Sequence, residues 1–304
     1  MDHLEAFAQY LRAHDKSDLT IRAYTRDVRL FTRWFRQRTG EELQPELVTP
    51  LDVRAYRDWL LDKGSSPNTC ARKLAALSAF FRWAKEAGLV QFDPTAEIRR
   101  PRQVTLAPKW LTKSQRHALL REVQKAVQLG ELKARGDVSQ VCLWRPKRDL
   151  AVIVLLLNAG LRVREMSALT LSDVEIGRRA GQVRVFGKGS KERVIPLNAE
   201  ARKALADWLQ IRPKVKTDAL FVTQLGTPLS ARSVQGIVEK YARRAGLEGV
   251  TAHTLRHTFG KGLVDAGVPL DRVAMLMGHS SINTTRIYTT PSQADLAEAV
   301  ERLK

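Results

Sequence analysis

The chain has 304 residues, of which 44% are hydrophobic and 27% charged, and its formal net charge is +19. This composition excludes a largely disordered or collagen-like chain, and the length predicts about two domains. The longest apolar run, Leu150 to Ala159, is too short to cross a bilayer, and the residues after Met1 lack the features of a secretory signal. The two cysteines, Cys70 and Cys142, lie far apart, which predicts no disulfide framework, no cysteine zinc site and a cytoplasmic location.

The positive charge is concentrated after the first hundred residues. Residues 1–100 carry a net charge of +3, residues 101–200 carry +10 and residues 201–304 carry +6. A strongly basic protein attracts polyanions, of which nucleic acid is the commonest. The charge therefore favours a nucleic-acid partner, and a surface that is merely basic is the alternative.

The first hundred residues have the periodicity of helices, most clearly between Leu19 and Arg38. Apolar side chains recur there at steps of three and four residues and fall on one helical face: Ile21, Tyr24, Val28, Phe31 and Phe35. Arginines follow the same rhythm on a roughly opposite face, and we call them the arginine row: Arg22, Arg26, Arg29, Arg33 and Arg36. Asp27 is the only acid in the segment, so part of the row, Arg22 to Arg33, is predicted to follow DNA phosphates. The alternative is a solvated charged face.

A further helix is predicted to start at Ser66, because the side chains of Ser66, Asn68 and Thr69 are of the kind that cap free backbone N–H groups. Gly88 is predicted to end it. Arg72 and Lys73 lie off its apolar stripe and are predicted to be a second DNA-facing surface, with a plain core helix as the alternative. The stripe itself consists of Cys70, Leu74, Leu77, Phe81 and Ala84.

The best domain boundary is a basic, proline-containing linker at residues 99–109. It separates a helical domain, residues 1–98, from a second domain, residues 110–304. In the second domain, Gly130 to Lys147 is polar enough to be a surface insertion, and everything after Ala199 is predicted to be helical. The other predicted elements are a helix from Leu111, a buried helix at Leu150–Leu157, and a β-hairpin of strands Gln182–Phe186 and Glu192–Leu197.

The residues that could carry chemistry combine positive charge with one phenol. Arg162 and Arg256 could clamp the non-bridging oxygens of a phosphodiester, and Lys188 could protonate a leaving 5′ oxygen. Tyr288 could be the nucleophile, because nearby cations favour phenolate over phenol. This combination suits phosphodiester cleavage without a metal.

Each of these residues has a plainer interpretation when taken alone. Arginine after a buried helix is often a capping or surface residue, lysine at a hairpin tip often only solubilises a turn, and histidines are often satisfied structural groups. His253 and His257 have zinc-like spacing, but Thr254 stands where a zinc helix carries glutamate. Four other tyrosines compete with Tyr288: Tyr10, Tyr24 and Tyr56 lie in the N-terminal domain, and the helical pattern around Tyr241 predicts a packing role.

Four short motifs in order resemble those of the tyrosine recombinases, the phage-integrase family, and most of all the compact Xer-type site-specific recombinases. Each motif alone is weak, but four in order over about 130 residues are specific. The motifs are Asn158 to Glu165, the lysine hairpin Gly187 to Arg193, the box His253 to His257, and Leu276 to Tyr288. Asn158 departs from the family's usual threonine and Arg164 from a usually small residue.

The resemblance implies a mainly α fold with a small β-sheet, in which a SAM-like core-binding domain and a catalytic domain form a C-shaped clamp. It implies that Arg162 and Arg256 hold the scissile phosphate, that Lys188 is the general acid and that His253 assists proton transfer. His279 would donate a hydrogen bond to the phosphate, and Tyr288 would attack to leave a 3′-phosphotyrosine and a free 5′ hydroxyl. Glu165 and His257 are expected to support the site, while Lys191 and Arg193 are candidate DNA contacts. Neither ATP, metal nor another cofactor is implied.

The resemblance also implies partners. Double-stranded DNA with a specific recombination site is the expected substrate, cleaved and rejoined through a Holliday junction by a tetramer of identical or related subunits in the cytoplasm, at the nucleoid. The tail, residues 292–304, is predicted to be a short helix that docks on a neighbouring subunit; packing on its own domain is the alternative.

Three functional hypotheses follow. The favoured one is Xer-like resolution of chromosome or plasmid dimers. A mobile-element integrase or resolvase would use the same chemistry, and genomic context would separate the two. A DNA-binding regulator that kept the fold without the chemistry is the alternative from a different class, and the complete set of candidate catalytic residues argues against it.

Overall fold

The computed structural model describes residues 3–102, 109–134, 141–187, 192–279, 281–289 and 300–301. The chain divides into two compact units, residues 1–106 and residues 107–304. Each unit has a hydrophobic core of its own. Within the described ranges, no helix is long and apolar enough to span a membrane.

Residues 3–102 of the first unit form four α-helices, and side-chain caps fix the starts of three of them. They are α1 (His3–Ala13), α2 (Asp18–Thr39), α3 (Pro50–Asp62) and α4 (Pro67–Glu86). The Ser17 and Ser66 hydroxyls accept hydrogen bonds from backbone N–H groups in the first turns of α2 and α4, and Thr49 and Asp52 form a capping box on α3. The helices predicted from Leu19 and from Ser66 are therefore confirmed.

The core of the first unit is aromatic. Phe31 of α2 meets Tyr56 of α3 edge to face, with ring centroids 5.0 Å apart, and Phe81 of α4 meets the same Phe31 ring. The arginine row lies on the opposite, more exposed side of α2, as predicted. Asp27, in contrast, is buried and pairs with Arg72 of α4, so α2 and α4 are joined by charge as well as by packing.

The second unit is mainly helical, with one antiparallel sheet in which β2 is central. The register pairs Val183 with Ile195, and both side chains are buried under the sheet. The elements are α5 (Lys113–Ala134), α6 (Val141–Ala159), α7 (Val163–Ala168), β1 (Val174–Ile176), β2 (Gly181–Phe186), β3 (Glu192–Pro196), α8 (Ala199–Ile211), α9 (Ala231–Arg244), α10 (Ala252–Asp265) and α11 (Leu270–Met277). Two short 3₁₀ turns follow, Ile282–Thr284 and Arg286–Tyr288.

The expectation of a surface insertion at Gly130 to Lys147 was wrong for most of its length. Helix α5 continues to Ala134 and α6 already begins at Val141, while residues 135–140 lie outside the described ranges. Glutamate, leucine, lysine and alanine after Gly130 are strong helix formers. Trp144 is buried against Trp208, which explains why a polar-looking stretch is part of the core.

The end of the chain is less helical than predicted. Residues 212–230 lie outside any helix and make two isolated bridges, Thr170 with Ala219 and Val222 with Pro228. Pro213 and Pro228 interrupt helix formation there. Strand β1, Val-Glu-Ile, is too short for its alternation to stand out from the surrounding sequence, and it was not predicted.

Candidate active site

The first arginine is placed by a glycine turn at the end of α6. Gly160 has φ +58°, and a Cβ there would overlap the ring of Phe259. A side chain is therefore excluded by both backbone conformation and space. The turn leads directly to Arg162, which precedes α7 and has a side chain that is 44% exposed.

Glu165 is the centre of an ion-pair cluster. Its buried carboxylate accepts four hydrogen bonds: from the backbone N–H and the guanidinium of Arg162, at 2.7 and 2.8 Å, and from both terminal nitrogens of Arg193, at 2.9 and 2.8 Å. Burial alone would raise the pKa of this carboxyl. The hydrogen bonds from Arg193 and Arg162 outweigh burial and lower the pKa to about 2, so the group is ionised at neutral pH.

The carboxyl end of α11 binds three arginines. The carbonyl of Leu276 accepts from Arg193 Nε at 3.1 Å, that of Met277 from Arg256, and that of Gly278 from Arg162 at 2.7 Å. The last carbonyls of a helix have no partner within it and carry the negative end of its dipole, so they attract cations. A single helix end thus gathers guanidinium groups from three separate elements.

Gly278 allows this close approach. It ends α11 in the left-handed conformation with φ +63°, and a Cβ there would lie 2.7 Å from Arg193 Nη1. Arg256 also donates to the carbonyl of Gly160 and is only 3% exposed. Burial and the neighbouring Arg162 lower the pKa of Arg256 to about 10, which still leaves it charged at neutral pH.

The histidines line the same region. His253 is exposed and stands one turn before His257 on α10, with ring centroids 4.1 Å apart. His279 Nδ1 lies 2.9 Å from the hydroxyl of the buried Thr285. Burial, followed by the nearby Arg256, lowers the pKa of His279 to about 4, and burial also lowers the pKa of His253. His279 is therefore neutral at physiological pH.

Tyr288 is buried, with 1% of its surface exposed, and its hydroxyl lies 2.8 Å from His257 Nδ1. Burial raises the pKa of the phenol to about 12, and the opposing effect of Arg256 is smaller. The nearby Arg256 does favour phenolate, as expected, but burial has the larger effect, so the phenol keeps its proton in this conformation. The pKa of His257 is lowered to about 4, chiefly by burial, so its ring is neutral at physiological pH, and its tautomer sets which group donates in this hydrogen bond.

The phenol sits against a glycine in the middle of α10. A Cβ on Gly260 would lie 2.7 Å from Tyr288 Cζ and equally close to Met277 Sδ. The sequence did not single out Gly260, and it marked Thr285 only as part of the motif that ends at Tyr288. A glycine inside an otherwise regular helix costs stability, so Gly260 itself was the available signal of a close approach.

Several predicted site residues lie away from this cluster or outside the described ranges. Lys188, Lys191 and the tail from 292 to 299 and 302 to 304 are outside them. Arg193 points inward, with its side chain 13% exposed, where a DNA contact was expected. Arg72 is held by Asp27, and Lys73 beside it is half-buried.

Asn158, which stands where the family usually has threonine, forms hydrogen bonds to two side chains near the start of α8. Its side chain donates to Glu200 at 3.1 Å and accepts from Asn198 at 2.9 Å, which ties α6 to the start of α8. Tyr241, one of the rivals of Tyr288, is fully buried and donates to Asp149, so it packs as predicted.

The chain matches two family models: residues 109–295 match the phage integrase family, and residues 4–88 match the phage integrase N-terminal SAM-like domain. The chain belongs to the phage integrase family. It is a tyrosine recombinase, an enzyme that cleaves and rejoins DNA.

Relatives of this recombinase align over most of its length. It is 35% identical to a tyrosine recombinase XerC of Corynebacterium efficiens, over 98% of this chain and 90% of that protein. It is also 35% identical to a tyrosine recombinase XerD of Pseudomonas putida, over 93% of this chain and 90% of that protein.

Solved structures agree on the fold. A XerH site-specific recombinase bound to a palindromic difH substrate matches with a TM-score of 0.75 and 24% identity, covering 98% of this chain and 83% of that one. A lambda integrase dimer bound to a core site matches with a TM-score of 0.70 and 17% identity, covering 94% and 93%. The predicted fold class, mainly α with a small sheet in a two-domain recombinase, is confirmed.

Proposed function

We propose that this recombinase is of the Xer type and resolves chromosome or plasmid dimers at one specific DNA site. The names and nearly full-length alignments of its relatives support this role. The observation that carries the chemistry is the convergence of Arg162 and Arg256 on the end of α11, close to the buried Tyr288. This cluster supplies fixed positive charge next to a phenol, as attack on a phosphodiester requires.

Arg162 and Arg256 hold the non-bridging oxygens of the scissile phosphate. Each guanidinium has five N–H donors, and the bonds to Glu165 and to the backbone carbonyls use only some of them. The remaining donors bind the phosphate and stabilise the charge that grows on its oxygens in the transition state. Neutral His279 adds a hydrogen-bond donor, with its ring oriented by Thr285.

Cleavage begins when the Tyr288 oxygen attacks the phosphorus atom. The P–O bond to the 5′ oxygen breaks, Lys188 gives that oxygen a proton, and a 3′-phosphotyrosine remains. The reverse reaction, with the 5′ hydroxyl of a partner duplex as nucleophile, rejoins the strands. As a base, His253 takes the phenol proton during cleavage, and as an acid it returns a proton to the phenol when the strands are rejoined.

Tyr288 changes position before it reacts. In the described conformation the phenol is buried, bonded to His257 and protonated, so it is protected from reaction. DNA binding moves the hydroxyl to the phosphate, where the charges of Arg162 and Arg256 favour loss of its proton.

DNA contacts outside the active site involve the arginine row of α2 and the basic surface of α4 around Arg72 and Lys73. The active assembly is a tetramer on two duplexes, of one or two related recombinases, formed in the cytoplasm at the nucleoid. A tail helix at residues 292–304 exchanges between subunits in this assembly. Residues 1–98 and 110–304 are the core-binding and catalytic domains, joined by the linker at 99–109.

The test is covalent trapping in the native host. The wild type and Tyr288→Phe are expressed there, denatured with SDS and captured, and the ends of any attached DNA are sequenced. We expect the wild type to carry DNA through a 3′ link at one recurring sequence and Tyr288→Phe to carry none. A recurring chromosomal or plasmid site supports dimer resolution, whereas recovery of the ends of a mobile element supports an integrase.

Two results would contradict the proposal. Equal trapping by both proteins would show that Tyr288 is not the nucleophile. If both proteins bind DNA and neither forms an adduct, the result favours a DNA-binding regulator. Short-lived adducts are first sought with nicked duplexes, which prevent religation.

A further inference from the structure

We propose that Arg193 is a positioning residue for the phosphate-binding arginines. Its positive charge offsets the negative charge of Glu165, so that the positive charge of Arg162 remains available to attract the scissile phosphate. The proposal rests on the function proposed above. It gives Arg193 a role inside the protein, in place of the direct DNA contact that the sequence predicted.

Arg193 forms a bidentate ion pair with the carboxylate of Glu165. Its two terminal nitrogens lie 2.9 and 2.8 Å from the two oxygens of Glu165, and its Nε donates to the carbonyl of Leu276. Arginine makes such bidentate pairs with fixed geometry, whereas lysine cannot. Three of its five N–H donors, one on each nitrogen, are engaged within the protein, so Glu165 and Leu276 fix the position of the guanidinium.

Glu165 would otherwise neutralise Arg162. The same carboxylate oxygen, Oε1, accepts from Arg162 Nη1 and from Arg193 Nη1. A carboxylate paired with Arg162 alone gives a net charge of zero at the point where a phosphate must bind. With Arg193 the trio has a net charge of +1, and at these short distances in a partly buried site that difference is large.

The same side chain fixes two elements against the helix end. Arg193 lies on β3, opposite Val185 of β2, and reaches Glu165 of α7 and Leu276 of α11. Arg162 and Arg256 bind the next two carbonyls of that helix end, at Gly278 and Met277. Loss of Arg193 would therefore loosen the base of the hairpin that leads to Lys188, as well as the anchor of Arg162.

The hairpin offers a matched control. Arg184 lies on β2 opposite Val194, on the solvent face of the sheet, and its side chain is 43% exposed. It lies 3.9 Å from Glu175 and 3.4 Å from Glu192, both outside the active site. Arg184→Met removes the same charge from the same hairpin without touching Glu165.

The first experiment measures the rate of covalent adduct formation on the DNA site recovered by trapping. We expect Arg193→Met to be slower than the wild type by roughly tenfold to a hundredfold, because small displacements of a phosphate-binding group have effects of that size. Arg184→Met is expected to react at the wild-type rate. An Arg193→Met protein that folds and reacts at the wild-type rate would overturn the proposal.

A double variant separates charge compensation from general support. Glu165→Gln removes the negative charge that Arg193 offsets, so Arg193→Met should cost little more when it is added to Glu165→Gln. If the two losses multiply instead, Arg193 and Glu165 act independently and the proposal is wrong. If Arg193→Met does not fold, Arg193→Lys is used in its place, because lysine keeps the positive charge and removes the bidentate pair. A wild-type rate in Arg193→Lys would overturn the positioning role.

The second experiment requires no specific site. Binding to a duplex of arbitrary sequence is measured over a range of salt concentrations for the wild type and Arg193→Met. We expect equal slopes, since a residue that contacts a phosphate would lower the slope of log K against log salt by about 0.9 when removed, and such a drop would overturn the proposal. If neither the wild type nor Arg184→Met forms an adduct, the proposed function has failed, and the salt slope still decides whether Arg193 contacts DNA.

Discussion

At the scale of single residues, the active site depends on glycines as much as on charged groups. Gly160 and Gly278 have positive φ and their carbonyls accept from Arg256 and Arg162, while Gly260 leaves room for the Tyr288 ring. A phosphate-binding arginine needs some N–H donors held by the protein and others available to the phosphate. Backbone carbonyls at these helix ends, which have no partner within the helix, hold the first set.

Gly260→Ala tests the fit of the phenol. Its Cβ would meet Tyr288 and Met277 at 2.7 Å, so we expect a decrease of about 1–3 kcal/mol in the free energy of unfolding. Gly262→Ala on the same helix is the control, because nothing lies within 4 Å of its added Cβ. It should be neutral or stabilising by about 0.5–1 kcal/mol. Urea denaturation measures both, and equal effects would refute the close fit.

A pH prediction follows from the lowered pKa values of His257 and His279, both about 4 against an ordinary value of 6.5. Between these values the unfolded chain takes up protons that the folded protein does not. Stability is therefore fully present above about pH 6.5 and falls as the pH drops towards 4. His257→Gln with His279→Gln should flatten the curve of unfolding free energy over this range. A curve as steep as that of the wild type would contradict the assignment.

At the scale of elements, the ion pair between Asp27 and Arg72 is the feature that periodicity did not reveal. Asp27 lies on α2 beside the arginine row, yet it is 2% exposed because it turns towards α4. The one acid in the segment thus holds a cation of the neighbouring helix in place, and Arg72 presents the rest of its side chain to solvent.

Asp27→Asn should destabilise the first unit. Breaking a buried pair leaves a charge without its partner, and since Arg72 is 40% exposed we expect a decrease of about 1–3 kcal/mol in the free energy of unfolding. Asp58→Asn is the control, because Asp58 is exposed and pairs with its neighbour Arg57; its effect should stay below about 1 kcal/mol. Thermal unfolding followed by circular dichroism measures both, and equal decreases would show that burial of Asp27 is unimportant.

At the scale of the whole molecule, the arginine row and the candidate catalytic residues lie in different parts of the chain. The arginine row belongs to the first unit and the candidate catalytic residues to the second, and each unit buries its own core. In the proposed function, the net charge of +19 attracts DNA of any sequence, and the cluster at the end of α11 carries out the reaction.

The double variant Arg29→Gln, Arg33→Gln should bind duplex DNA more weakly. The slope of log K against log salt concentration should fall by about 0.9 for every phosphate that these side chains neutralise in the wild type. Both arginines lie on the outer face of α2. Arg12→Gln is the control, since Arg12 lies on α1 near Glu5. Fluorescence anisotropy over a range of salt concentrations checks the prediction, which fails if the control variant lowers the slope as much.

The sequence alone determined the helices with a clear apolar face, the β-hairpin and the candidate catalytic residues. These depend on local periodicity, turn residues and short motifs, all of which are readable over about ten residues. It was misleading at Gly130 to Lys147 and after Ala199, because burial of Trp144 and the irregular path of residues 212–230 depend on distant partners.

Only the tertiary structure decided where each charge points. From the sequence, Arg193 was expected to contact DNA, but it forms a bidentate ion pair with Glu165 inside the protein. Asp27 lies beside a row of exposed arginines in the sequence, but its side chain is buried. Tyr288 lies among cations and still keeps its proton, because burial outweighs their effect in this conformation. Sequence specifies which groups are present, but the energy of a charge depends on its distance to partners and to water, and both are set by packing.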